Sequence, residues 1–198
     1  GRNAAELSGI CTVFLQKMLS AGGDTGVILK MLNDFLVAGT AGESSATVDL
    51  LELDLYTGEG IFWKSGAAPT FILREGNLLR LSSRTAPAGI LPEADVQKTE
   101  FQLYHGDVVV MLSDGVADEG EELDLTAEMF AEITGALVSE DLSGAYSDGT
   151  DAALERLAAR IADGGVPEGG KRDDRTVILV RVEEDGTSDA EIDAYVAG

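Results

Sequence analysis

The sequence predicts an α+β fold with antiparallel sheets, and three observations carry that expectation. Two helical segments stand together at the start, short strands then follow in pairs around tight turns, and a strongly apolar strand comes late. At 198 residues the chain suits one domain and can bury a sizeable core. No linker divides it, and no internal repeat is present.

Each element has its own signal. Residues 2–21 read as a helix because Leu7, Ile10, Cys11, Phe14, Leu15, Met18 and Leu19 recur at three- and four-residue spacing, which predicts one buried face. "AGGD" ends it, and Asp24 is placed to cap a second helix with Val27, Ile28, Met31, Leu32, Phe35 and Leu36 inward. After "GTAGESS" the period drops to two. Val48, Leu50, Leu53 and Leu55 alternate with acids, and the chain turns at Thr57-Gly58 into "IFWKSG". "PTFILREGNLLRLSS" repeats the plan around Glu75-Gly76, and a loop rich in Ala, Pro and Gly follows over 83–92. "DVQKTEFQLYHGD" leads by a tight turn into the apolar "VVVML". Helical spacing returns from Leu125, with Met129, Phe130, Ile133 and Leu137, and again over 151–162, with Leu154, Leu157, Ala158 and Ile161. "DDRTVILVRVEED" holds a nearly continuous apolar run, so it belongs inside its sheet. Residues 185–198 form a polar tail expected to be frayed or peripheral.

Composition narrows the function. A net charge of −22 repels phosphate-rich partners, so nucleic acid is not an expected ligand. The single cysteine, Cys11, rules out an internal disulfide and an all-cysteine metal cluster, which suits a reducing cytoplasm. No apolar run reaches membrane-spanning length, and no signal-peptide pattern opens the chain. The first residue is Gly1 rather than methionine, so an upstream segment is expected.

The chemistry concentrates in two segments. "VVVMLSDG" ends a buried strand on Asp114-Gly115, and "KRDDRTVILVRV" opens one on Asp173 and Asp174. Antiparallel neighbours set the end of one strand beside the start of the other, which would bring these carboxylates to one rim. Carboxylates crowded there raise each other's pKa unless a cation lies among them, and Mg²⁺ or Mn²⁺ takes oxygen ligands of this kind. The plainer alternative is a simple Asp-Gly turn and a solvated strand end, and on spacing alone that alternative stays ahead. Other motifs fail. The acids from Asp118 to Asp124 lack the EF-hand ladder, so a solvated loop with Asp124 as a helix cap is expected. "GEGIFWKS" has Trp63 where a P-loop needs glycine, and Met111 stands where G-x-S-x-G needs one before Ser113. His105 is the sole histidine and sits in the turn "YHGD".

Taken together, "SATVDLLELDLYTGEGIFWKSGAAPTFILREG", "APAGIL", "GDVVVMLSDGVAD" and "DDRTVILVRV" resemble, in order, the phosphatase domain of the stage II sporulation protein E family. That family belongs to the metal-dependent (type 2C, PPM) serine/threonine phosphatases. The resemblance covers Gly1 to about Val182 and implies a phosphatase domain over 1–184. It implies an αββα sandwich, two antiparallel sheets flanked by helix pairs, here lacking its N-terminal strands. It also implies two Mn²⁺ or Mg²⁺ ions activating water against phosphoserine. Asp114 and Asp173 match metal ligands, while Asp174 and Gly115 stand around them. Arg175 occupies a position often apolar in the family, and no role is carried to it.

Gly1 resembles the last glycine of a segment whose aspartate bridges both metals in relatives, so the 198 residues alone are expected to bind metal weakly and hydrolyse little. In that family the first two helices act as a switch that controls assembly of the metal site, and the apolar faces over Leu7 to Leu19 and Val27 to Leu36 fit either such a switch or plain packing. The implied substrate is a phosphorylated anti-sigma-factor antagonist in sporulation or stress control. A cytoplasmic location follows, tethered to the membrane only through upstream helices where those exist, and a homodimer is allowed. The alternative is a phosphatase fold that binds a partner and has lost its chemistry.

Overall fold

The computed structural model describes residues 2–40, 44–93, 95–116, 154–156, 158–159, 175–183 and 192–197. Its elements are α1 (Arg2–Ser20), α2 (Thr25–Thr40), β1 (Val48–Leu53), β2 (Glu59–Ser65), β3 (Thr70–Arg74), β4 (Asn77–Leu81), β5 (Gln97–Gln102), β6 (Val108–Leu112), β7 (Val177–Val182) and β8 (Ile192–Ala197). They form one sheet ordered β1-β2-β5 and a second ordered β4-β3-β6-β7-β8. This is the predicted α+β class. The chain divides into two compact units.

The first unit comprises Gly1–Glu52, Gly60–Ala67 and Ser83–Phe101. Gly22, at φ 77°, ends α1, with Gly22 N bonded to Leu19 O and Gly23 N to Met18 O. Asp24 caps α2 as expected, its Oδ1 accepting from Val27 N at 2.9 Å. The core packs Cys11 of α1 against Leu29, Leu32 and Leu36 of α2, Val48 of β1 and Ala88 of the long loop. Burial pushes the Cys11 thiol above its usual pKa, so the sulfur stays a packing group.

The helix faces differ from the predicted ones. Ile28, Leu32 and Leu36 are buried, joined by Leu29, but Val27, Met31 and Phe35 are 57%, 44% and 47% exposed, and Ile10 of α1 is 50% exposed. The helix α2 is apolar around more than half its girth, and only one stripe can point into this unit. Phe14 of α1 stacks on Phe35 at 6.3 Å between ring centroids.

Asn33, buried on α2, fixes the loop over 83–92. Its Oδ1 accepts from Gly89 N at 2.8 Å, and its Nδ2 donates to Leu91 O at 3.1 Å. Gly89 sits at φ 93°, where a Cβ would lie 2.8 Å from both Leu36 Cβ and Ser44 O, so a side chain is excluded there. In β2, Lys64 is buried and pairs with Asp49 of β1 at 2.7 Å.

The second unit comprises Leu53–Glu59, Ala68–Ser82 and Gln102–Gly198. Strands β3 and β4 form a hairpin closed by Glu75 and Gly76, both at positive φ, with Arg74 opposite Asn77. Every residue of β6 is buried, and β7 is buried at all but Ile178. Strand β7 lies between β6 and β8, the interior place its apolar run predicts.

The start of β6 is anchored by Asp107, which is 1% exposed. Its carboxylate takes Arg74 Nε and Nη2 at 2.9 and 2.6 Å and Tyr104 N at 2.8 Å.

The chain's later part is described in pieces. Residues 192–197, expected in a frayed or peripheral tail, form the edge strand β8 and are paired rather than frayed, antiparallel with β7 from Val177↔Ala197 to Val182↔Ile192. The alternation from Ile192 to Val196 is too short to stand out after the polar stretch over 185–191. Of the helix expected over 151–162, residues 154–156 and 158–159 are helical, with Leu154 and Ala158 fully buried. The helix expected from Leu125 and the acid cluster from Asp118 to Asp124 lie outside the described residues.

Candidate metal-binding rim

The site begins at the C-terminal end of β6. Five apolar residues carry the chain through the sheet in register with β7, Val108 opposite Arg181 and Leu112 opposite Val177. Beyond Leu112 the ladder continues for one step only. Ser113 N donates to Thr176 O at 3.0 Å. The return bond, 2.9 Å from Thr176 N, goes to the Ser113 hydroxyl instead of a backbone carbonyl. The serine side chain thus satisfies the amide that leads into β7 and lets the backbone turn at Asp114. Val116 N closes the turn on Ser113 O at 3.0 Å.

Asp114 stands exposed at the tip of this turn. Its Oδ1 accepts from Gly115 N at 3.0 Å, which holds one carboxylate oxygen toward its own loop. No lysine or arginine among the described residues forms an ion pair with it. An oxygen donor raised on a rigid strand end, with no ion-pairing cation among the described residues, suits a hard divalent ion. Among the described residues no group of three or more metal-ligating side chains stands together.

Of the predicted site residues, Asp114 and Gly115 are described, while Asp173 and Asp174 lie outside the described residues. The segment that directly follows those two is brought to the rim. Arg175 Nε donates to Gly115 O at 2.9 Å, beside the Ser113–Thr176 pair. Sequence patterns assign no role to Arg175 or to the Ser113 hydroxyl. Residues 60 positions apart meet only through the β6–β7 register, which no local pattern encodes. Ser113 is also committed to Thr176, and His105 lies exposed in its turn, in keeping with the rejection of a serine-hydrolase reading.

Comparison with known proteins adds the lineage. The profile of the family described as "Stage II sporulation protein E (SpoIIE)" matches residues 1–183. Stage II sporulation protein E of Bacillus subtilis (strain 168) is 35% identical over 102 residues, which are 52% of this chain and 12% of that protein. Among solved structures, the PP2C phosphatase domain with a fragment of the regulatory domain of the cell fate determinant SpoIIE from Bacillus subtilis is 26% identical. It covers 94% of this chain and 51% of that one, with a TM-score of 0.65. The phosphatase domain of the same determinant, presoaked with Mn, is also 26% identical, covering 86% of this chain and 71% of that one at a TM-score of 0.50. The chain therefore spans about half of the first of these structures and a small part of the full-length relative. The chain has a PP2C-type phosphatase fold and belongs to the stage II sporulation protein E family.

Proposed function

We propose that this chain is part of a metal-dependent phosphoprotein phosphatase, with Asp114 and Asp173 as metal ligands and Asp174 and Gly115 shaping their surroundings. The observation that supports this is the closure of the Ser113–Gly115 turn onto Arg175 and Thr176. In the sequence Asp173 stands two positions before Arg175. Carboxylate oxygens are the ligands a hard divalent ion takes, and the family relationship points to Mn²⁺ or Mg²⁺ as that cation.

Bound divalent ions would contribute a water of lowered pKa and neutralise charge on the phosphoryl oxygens. The chain's own part is positional. The buried β6 fixes the height of Asp114, and the Ser113 hydroxyl ends the ladder so that the carboxylate stands clear of the sheet. The substrate we propose is phosphoserine on a small anti-sigma-factor antagonist, in sporulation or stress control, which follows from the family. The same reading puts the domain in the cytoplasm. No helix among the described residues is long and apolar enough to cross a membrane.

The test is phosphate release from the phosphorylated antagonist by the full-length protein, with Mn²⁺ and with a chelator. Turnover is expected only with the metal, and Asp114→Asn is expected to abolish it. Undiminished turnover in that variant overturns the ligand assignment, and equal turnover on unrelated phosphoserine peptides overturns the substrate.

A further inference from the structure

The Asp114-Gly115 turn is held from two sides. Gly115 N donates to Asp114 Oδ1 at 3.0 Å, while Gly115 O accepts from Arg175 Nε at 2.9 Å. One glycine thus links a guanidinium rooted at the start of β7 to the carboxylate at the end of β6. Glycine has no side chain to restrict its backbone, so beyond the Val116 N–Ser113 O bond that closes the turn, these two contacts set how the Gly115 peptides lie. An ionised donor makes a stronger, shorter bond to a carbonyl than a neutral one does, and a guanidinium keeps its charge at any ordinary pH. Arg175 is only partly exposed and is fixed at its backbone by the adjoining Thr176, whose N–H and carbonyl are both bonded to Ser113. Its reach across the rim is therefore anchored at both ends.

We infer that Arg175 is a positioning residue: it clasps Gly115 O and so fixes the direction in which Asp114 presents its carboxylate to a metal ion. The inference rests on the reading of Asp114 as a metal ligand and goes beyond it, because it assigns the ligand's orientation to a residue on the other strand. Partners that orient a ligand influence metal affinity strongly, and their removal typically weakens binding about 10–100-fold. The clasp acts before substrate arrives. Its loss should raise the Mn²⁺ concentration needed for activity and leave the rate at saturating Mn²⁺ much less affected.

The experiment is a Mn²⁺ titration of the full-length protein, following the electron paramagnetic resonance signal of free Mn²⁺. Wild type is compared with Arg175→Met, Arg175→Lys and Asp114→Asn. Arg175→Met keeps the apolar stem and removes every donor. It should bind Mn²⁺ about 10-fold more weakly, while its metal-free melting temperature stays near that of wild type. Arg175→Lys, with one charged donor, should recover part of the affinity. Should Arg175→Met not fold, Arg175→Gln replaces it, since its shorter amide does not span the same gap.

Asp114→Asn should lose affinity outright. If it binds Mn²⁺ as wild type does, the ligand reading fails and the clasp with it. If Asp114→Asn loses the metal but Arg175→Met binds within about twofold of wild type, the ligand reading stands and the clasp is overturned.

Discussion

Two buried charges in this molecule have different consequences. Asp107 ties together Arg74, the Tyr104 amide and the start of β6, and Arg74 also donates to Gln102 O at 2.6 Å. Asp107→Ala removes one partner of a largely desolvated pair and leaves a guanidinium whose side chain is 29% exposed. We expect a loss of about 3 kcal/mol in urea unfolding, at the low end for such pairs because water can reach Arg74. Lys64 works in the opposite sense. Burial pushes its ammonium below the usual 10.5, against the pull of Asp49. The folded chain therefore releases this proton at lower pH than the unfolded chain does. In the window just below 10.5 the unfolded state holds more protons, so this group's contribution to stability rises with pH there. Urea midpoints of wild type and Lys64→Met, measured from pH 8 to 10.5, should diverge, with wild type gaining relative to the variant. Parallel curves would mean that Lys64 titrates normally.

At the scale of elements, legibility in the sequence followed the sharpness of the local pattern. The apolar run from Val108 to Leu112 could only be a buried strand, and Glu75-Gly76 could only be a tight turn, so both were readable. The helix α2 was readable as a helix but not in its facing. Val27, Met31 and Phe35 are as apolar as Ile28, Leu32 and Leu36, and the choice between two adjacent stripes is made by tertiary packing. That choice predicts a contrast between neighbours. Leu32 is fully buried in the first unit's core, so Leu32→Ala should cost about 2–5 kcal/mol. Met31 is 44% exposed, and Met31→Ala should cost less than about 1 kcal/mol. Equal losses in denaturant unfolding would contradict the observed facing. The rim shows the same division. The place of Asp114 in a turn after β6 was legible because a strand ending in Asp-Gly is a local signal. The Arg175 contact to Gly115 was not, because it depends on the pairing of two strands far apart in the chain.

For the whole molecule the dominant fact is a net charge of −22 on 198 residues. Self-repulsion on this scale destabilises the compact state, and any salt relieves it by shortening the distance over which charges interact, from about 10 Å at 0.1 M to about 3 Å at 1 M. A rise in melting temperature on adding Mn²⁺ is therefore not evidence of a site by itself. Screening and binding separate in their dependence on ionic strength and on Asp114. Screening by Mn²⁺ and by Na⁺ at matched ionic strength should be similar, whereas a site that binds only the folded state adds RT ln(1 + [L]/Kd), about 2.7 kcal/mol at a hundredfold excess over Kd. We expect Mn²⁺ to raise the melting temperature of the full-length protein beyond the Na⁺ control. In Asp114→Asn the excess should vanish while the Na⁺ effect remains. The variant also removes one negative charge of 36 acidic residues, too small a change to alter the screening response noticeably. If the excess survives in Asp114→Asn, the ion is acting on the acidic surface as a whole, and the β6–β7 rim is not where it binds.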